Sequence, residues 1–149
     1  SRKKAKEYIE QYLEKYNGIN KFMEEVVEDA KEKGYVETLF NRRRYIPELK
    51  SNNYMVREFG KRAAMNTPIQ GTAADIMKIA MVNLNKKLEE ANIDTNIILQ
   101  VHDELILEAK IEYKEKAKEI LKECMENAAK LSVPLVVEVS EATNWYDCK

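Results

Sequence analysis

The sequence predicts an α+β fold, an antiparallel sheet backed by helices and preceded by a mainly helical N-terminal portion. Three observations carry that expectation. Apolar residues recur at helical spacing through most of the first 91 positions. After Asn92 the period changes to that of strands, with two apolar runs, Thr95–Val101 and 105–109, flanking His102-Asp103-Glu104. Only 4 Gly and 3 Pro occur in 149 residues, which excludes collagen-like, linker-like and low-complexity chains. The length is that of one ordinary domain, large enough to bury a core.

The elements follow in order. Residues 3–16 place Ala5, Tyr8, Ile9, Tyr12, Leu13 and Tyr16 on one helical stripe, and Asn17-Gly18 reads as its stop. A second helix runs to about Lys33, with Phe22, Met23, Val26, Val27 and Ala30 facing inward and Gly34 ending it. Residues 35–40 form a short segment with β-branched and aromatic residues, and a small hairpin returns through the arginines to Ile46-Pro47. Residues 53–65 are helical again. Thr67-Pro68-Ile69-Gln70 then has the form of a capping box with Pro at the first helical position, so a new helix is expected from there to about Ala91. The two apolar runs make a tight hairpin over 95–109. An amphipathic helix over 112–130 carries Tyr113, Ala117, Ile120, Leu121, Cys124 and Ala128 on one stripe, and Pro134 opens a final strand over 135–139.

Two Cys, at 124 and 148, cannot build a disulfide framework, and no Cys-x-x-Cys or His-rich tract points to zinc. No apolar run approaches the roughly 20 residues of a membrane span, and no signal peptide opens the chain. Its first residue is Ser1 rather than Met, from which a processed or excised piece of a larger protein is expected.

The net charge of −1 hides an asymmetry: residues 1–70 carry a net +4 and residues 71–149 a net −5. The basic excess peaks in residues 39–62, where Arg42, Arg43, Arg44, Lys50, Arg57, Lys61 and Arg62 face only Glu48 and Glu58. A charge run of this kind is first of all a solvated basic surface; arginine's planar fork suits phosphates and base edges, so a nucleic-acid footprint is the alternative.

Gln100-Val101-His102-Asp103-Glu104-Leu105 sets two adjacent carboxylates and the only histidine at a bend between apolar strands. Adjacent acids repel, and turns prefer Gly or Asn, so the pair makes sense where a cation neutralises it. Hard oxygen ligands of this kind suit Mg²⁺. A solvated acidic tip is the other reading, although flanks as apolar as Ile97-Ile98-Leu99 and Leu105-Ile106-Leu107 place the acids at the edge of a core. Arg62, Asn66 and Gln70 recur every fourth residue, which on one uninterrupted helix keeps them within about 80°. These side chains donate well to base edges, and minor-groove acceptors lie in nearly the same places in every correct pair. Donors aimed there test pair geometry without reading sequence. Helix capping and ordinary surface polarity also account for them.

Taken together, Gly34-Tyr35-Val36-Glu37-Thr38-Leu39-Phe40-Asn41-Arg42-Arg43-Arg44-Tyr45, the run Arg62-Ala63-Ala64-Met65-Asn66-Thr67-Pro68-Ile69-Gln70-Gly71-Thr72-Ala73-Ala74-Asp75, Gln100-Val101-His102-Asp103-Glu104 and the closing Pro134-Leu135-Val136-Val137-Glu138-Val139 with Asn144-Trp145 closely resemble the C-terminal part of bacterial family-A DNA polymerases. The resemblance covers essentially the whole chain. It implies a palm-type antiparallel sheet, with residues 1–50 a fingers-derived helical segment carrying the small hairpin and residues 51–149 the C-terminal part of the palm. It further implies that Asp103 is a catalytic carboxylate and Mg²⁺ ligand of a two-metal nucleotidyl-transfer site, with Glu104 its accessory acid. His102 then lies near the primer terminus, and Arg62, Asn66 and Gln70 meet the nascent duplex from its minor groove. Arg42, Arg43 and Arg44 are assigned to template or phosphate contact.

The partners so implied are primer-template DNA, deoxynucleoside triphosphates and the remainder of the polymerase chain, in the bacterial cytoplasm at the nucleoid, with no membrane. The family's second metal-binding Asp and its nucleotide-gripping helix precede this stretch in family members and are not found here, so the 149-residue chain alone is expected to be inactive. Two other readings stand beside this one: part of a single-subunit RNA polymerase, whose matching motif usually has Ser where Glu104 stands, and a non-catalytic nucleic-acid-binding module.

Overall fold

The computed structural model describes residues 1–148, with only the backbone of Arg2 among them. Among the described residues, four α-helices and two antiparallel two-stranded ribbons form two compact units, one of residues 1–72 and one from Ala73 onward. The α+β class expected from the sequence is what the structure has. Its strands, however, form two separate ribbons.

In the first unit, α1 (Arg2–Lys15) is capped by the Ser1 hydroxyl and separated from α2 (Asn17–Lys33) by Tyr16 alone. Asn17-Gly18 therefore opens α2 rather than closing α1; a single residue at φ −112°, ψ 58° suffices to break the helix. Gly34 ends α2 at φ 83°, a left-handed conformation that costs glycine nothing. The chain turns directly into β1 (Tyr35–Glu37), which pairs with β2 (Arg43–Tyr45) in the register Tyr35–Tyr45, Val36–Arg44 and Glu37–Arg43. Val27, Ala30, Val36, Ile46, Leu49, Ala63 and Ala64 make the core of this unit.

Helix α3 runs unbroken over Tyr54–Glu90, with Pro68 in its interior. Asn53 starts it, its Oδ1 accepting from the Met55 amide at 2.9 Å and the Val56 amide at 3.4 Å. The second helix start expected at Thr67-Pro68 is therefore incorrect. An N-cap hydroxyl accepts from amides ahead of it, whereas Thr67 Oγ1 donates backward to the Ala63 carbonyl at 2.7 Å, as a threonine inside a helix does. The boundary between the two units falls within this helix, after Thr72.

In the second unit, β3 (Thr95–Val101) and β4 (Glu104–Ala109) form a hairpin whose connection is His102-Asp103, one residue shorter than expected. A short 3₁₀ turn over Ile111–Tyr113 leads into α4 (Lys114–Glu126), narrower than the expected 112–130. Leu84 and Leu88 of α3, Leu105 of β4, and Ile120, Leu121 and Cys124 of α4 close the core, with Ile97, Leu107 and Val139 packed against it. The final strand expected over 135–139 does not form. The segment alternates inward and outward as a strand would, but no described strand pairs with it, and the Val137 amide donates to Glu126 Oε1 instead.

After this segment, Glu141 accepts from Lys114 Nζ at 2.9 Å and Lys118 Nζ at 2.8 Å. Those hydrogen bonds and the two positive charges lower its carboxyl from an ordinary 4.5 to about 2. A depressed folded-state value stabilises the fold above pH 4.5, and that contribution disappears as pH falls toward 2. Accordingly, E141Q is expected to be less stable than the parent sequence near neutral pH in denaturant unfolding. The difference should close between pH 4.5 and 2; a pH-independent difference would contradict the pairing.

Candidate functional site

The β1–β2 hairpin is fastened to α3 on both sides of Pro68. Across the ribbon, Val36 and Arg44 share the face turned to the core, and Arg44 Nη1 donates to Thr67 Oγ1 at 3.2 Å. In the loop between the strands, Asn41 takes φ 61° and the Thr38 hydroxyl accepts from the amides of Phe40 and Arg42. The Leu39 amide donates to Thr72 Oγ1 at 2.9 Å, and that hydroxyl donates on to the Pro68 carbonyl. Arg42 Nη2 reaches the Gly71 carbonyl at 3.1 Å. A side chain at position 71 would not fit this approach: a Cβ there would lie 2.7 Å from Thr38 Cγ2.

The three arginines are therefore not one patch. Strand alternation sends Arg43 to the opposite face, where its Nε donates to Glu37 Oε1 at 2.8 Å and its guanidinium sits 4.5 Å from the Tyr35 ring centre. The Glu37 hydrogen bond raises the Arg43 pKa further above its already high ordinary value. Arg42 and Arg44 face the helix. The sequence reading missed Glu37, Thr38, Thr67, Gly71 and Thr72, the groups that hold them. Two signals pointed to the arrangement: the two-residue period of a strand applied to consecutive arginines, and a glycine inside an Ala-rich helix, which marks close backbone approach.

Because α3 continues through Pro68, Arg62, Asn66 and Gln70 do fall on one helical face within about 80°. All three are exposed, and no hydrogen bond to another described residue occupies their side chains. Buried Thr67 turns toward the hairpin while its neighbour Asn66 faces solvent.

His102, Asp103 and Glu104 are all exposed at the tip of the second hairpin. His102 takes φ 51° as the first turn residue, a place glycine favours in a two-residue hairpin loop, and Gln100 Nε2 donates to its carbonyl at 2.7 Å. Asp103 completes the turn; Glu104 begins β4 opposite Val101. Since Leu105 and Leu107 turn to the core, alternation puts Glu104 on the other face. On that hairpin Ile98, at an interruption in register, is 57% exposed. No group of three or more His, Cys, Asp or Glu positioned to hold a metal ion occurs among the described residues. None of the described helices is long and apolar enough to cross a membrane.

Comparison with known proteins identifies the family. The model of DNA polymerase family A matches residues 1–147. The chain is 53% identical to DNA polymerase I of Caldicellulosiruptor bescii and 52% identical to DNA polymerase I of Bacillus caldotenax, over all 149 of its residues. It spans only 18% and 17% of those relatives' lengths. Among solved structures, the POL domain of Pol1 from M. smegmatis, in complex with DNA primer-template and dNTP, superposes with a TM-score of 0.87 at 44% identity, covering 91% of this chain and 24% of that one. The chain belongs to DNA polymerase family A.

The close approach at Gly71 can be measured. Gly71→Ala should destabilise the fold by about 1–3 kcal/mol in chemical denaturation, as overpacking does. Gly18→Ala, with nothing within 4 Å of its Cβ on a helix, should be neutral or stabilising by up to about 1 kcal/mol. Equal effects at the two sites would contradict the close approach.

Proposed function

We propose that this chain is the C-terminal part of the polymerase domain of a DNA-directed DNA polymerase, the complete enzyme adding deoxynucleotides to a primer 3′ end on a DNA template. Residues 1–50 contribute trailing helices of the fingers and residues 51–149 the C-terminal part of the palm. The observation that most supports this is the exposed row of Arg62, Asn66 and Gln70 on one unbroken helix, in a chain of this family.

In this reading Arg62, Asn66 and Gln70 donate to the acceptors that every correctly paired terminus presents in its minor groove, so a misaligned pair forfeits some of those bonds. His102 lies beside the primer end, its backbone held by Gln100. Arg42, Arg43 and Arg44 contribute positive potential toward template phosphates, with Glu37 partly offsetting that of Arg43. Asp103 is the metal ligand, with Glu104 adjacent. Exposed carboxylate oxygens fit Mg²⁺, a hard ion that shares its coordination among carboxylates, water and phosphates. Two carboxylates do not complete a site, and the remaining protein ligand comes from elsewhere in the polymerase chain. When bound, a pair of such ions activates the primer hydroxyl and stabilises the departing pyrophosphate. Primer-template DNA and deoxynucleoside triphosphates are the partners, and the bacterial cytoplasm, at the nucleoid, is the location.

The test is Asp103→Asn in the complete polymerase. Incorporation should fall by more than about a hundredfold, beyond the loss of an outer-shell metal partner. Primer-template affinity should stay within about twofold, because a metal ligand and not a phosphate contact is removed. Parallel loss of both would assign Asp103 a structural role. The isolated 149-residue chain should extend no primer in Mg²⁺, and template-directed incorporation by it would overturn the reading.

A further inference from the structure

Proline inside a helix removes an amide and sets its ring against the carbonyl four residues back, which ordinarily kinks or ends the helix. Pro68 stands between Asn66 and Gln70, so a break there would rotate Gln70 away from the face that Arg62 and Asn66 share. The helix does not break. Its continuity coincides with two threonine hydroxyls on its hairpin side, each acting as donor and acceptor at once. Thr67 Oγ1 gives its hydrogen to the Ala63 carbonyl and receives Arg44 Nη1. Thr72 Oγ1 gives its hydrogen to the Pro68 carbonyl and receives the Leu39 amide. Arg42 on the Gly71 carbonyl adds a third tie between them.

We infer that Thr67, held by Arg44, is a positioning residue for the donor row: it keeps α3 continuous through Pro68 so that Asn66 and Gln70 meet the same base pairs. This rests on the minor-groove role proposed above. Thr67 itself is buried and faces the hairpin, so it touches no substrate. Its effect passes through the angle between the helical segments before and after Pro68. Loss of the hydroxyl removes both the backward bond to Ala63 and the acceptor for Arg44, while valine keeps the shape. Serine keeps the hydroxyl and so keeps both bonds.

The experiment compares T67V, T67S, R44Q, the double variant R44Q/T67V and R62A in the complete polymerase, measuring kcat and KM for extension of matched and mismatched primer termini. T67V should raise mismatched relative to matched extension about fivefold, the scale of one lost hydrogen bond, with its melting temperature recorded alongside. T67S should restore the parent ratio. R44Q should shift the ratio in the same direction, and the double variant R44Q/T67V should shift it no further than T67V alone, since both remove one contact. A T67V enzyme that loses matched and mismatched extension in equal proportion, or a T67S enzyme that behaves like T67V, would overturn the inference. R62A separates the two levels. If R62A alters discrimination and T67V does not, the positioning role fails alone. Should R62A leave discrimination unchanged, the minor-groove reading itself fails.

Discussion

The first unit depends on one constraint, the passage of a helix through a proline. At Pro68 the backbone can neither bond the Ala64 carbonyl nor avoid crowding it, and isolated sequences of this kind kink. Here the β1–β2 hairpin lies against that point, and its hydrogen bonds fall on Thr67, Gly71 and Thr72. Several features of the sequence serve this single contact. Gly71 admits the loop, Asn41 turns it through a positive φ, and Thr38 caps it with two amide bonds. Polar bonds carry the contact because the groups meeting there are guanidiniums, hydroxyls, an amide and a backbone carbonyl, donors and acceptors that match one another.

That constraint explains which parts of the molecule could be read from residues alone. Helices α1, α2 and α4 and both hairpins are legible from apolar spacing, and at Gly34, with its left-handed φ, the local stop signal agrees with it. The helix break at Thr67-Pro68 was misread because a threonine ahead of a proline has the same local form whether it caps a helix or bonds back within one. The choice is made by a hairpin more than twenty residues earlier in the chain. The strand expected over 135–139 fails for the corresponding reason: Leu135, Val137 and Val139 alternate inward as a strand would, yet pairing requires a neighbour that pattern does not supply.

The candidate site shows the same division. Spacing alone indicated the row at Arg62, Asn66 and Gln70, although its common face depended on the helix remaining whole. The arginine run looked like one basic patch in sequence, yet strand alternation directs Arg43 to Glu37 and Tyr35 and its two neighbours to α3. At the other hairpin the order of residues showed two acids at a bend. Only the backbone shows that Asp103 closes a two-residue turn entered through a histidine at φ 51°, with Glu104 already in strand. A non-glycine residue in that region costs free energy, of order 1 kcal/mol, and persists where the surroundings hold it. The Gln100 bond to the His102 carbonyl is one such restraint.

Amide hydrogen exchange at Ile69 and Gln70 tests the continuity of α3 most directly. In an unbroken helix these two amides are bonded to the carbonyls of Met65 and Asn66, so their exchange should be slowed to the level of the flanking turns. In a helix that restarts with Pro68 as its first residue they would be among the first amides, which have no intrahelical carbonyl to bond. Exchange at Ile69 and Gln70 near the rate of an unstructured peptide, with protection resuming only from Gly71 onward, would contradict the account.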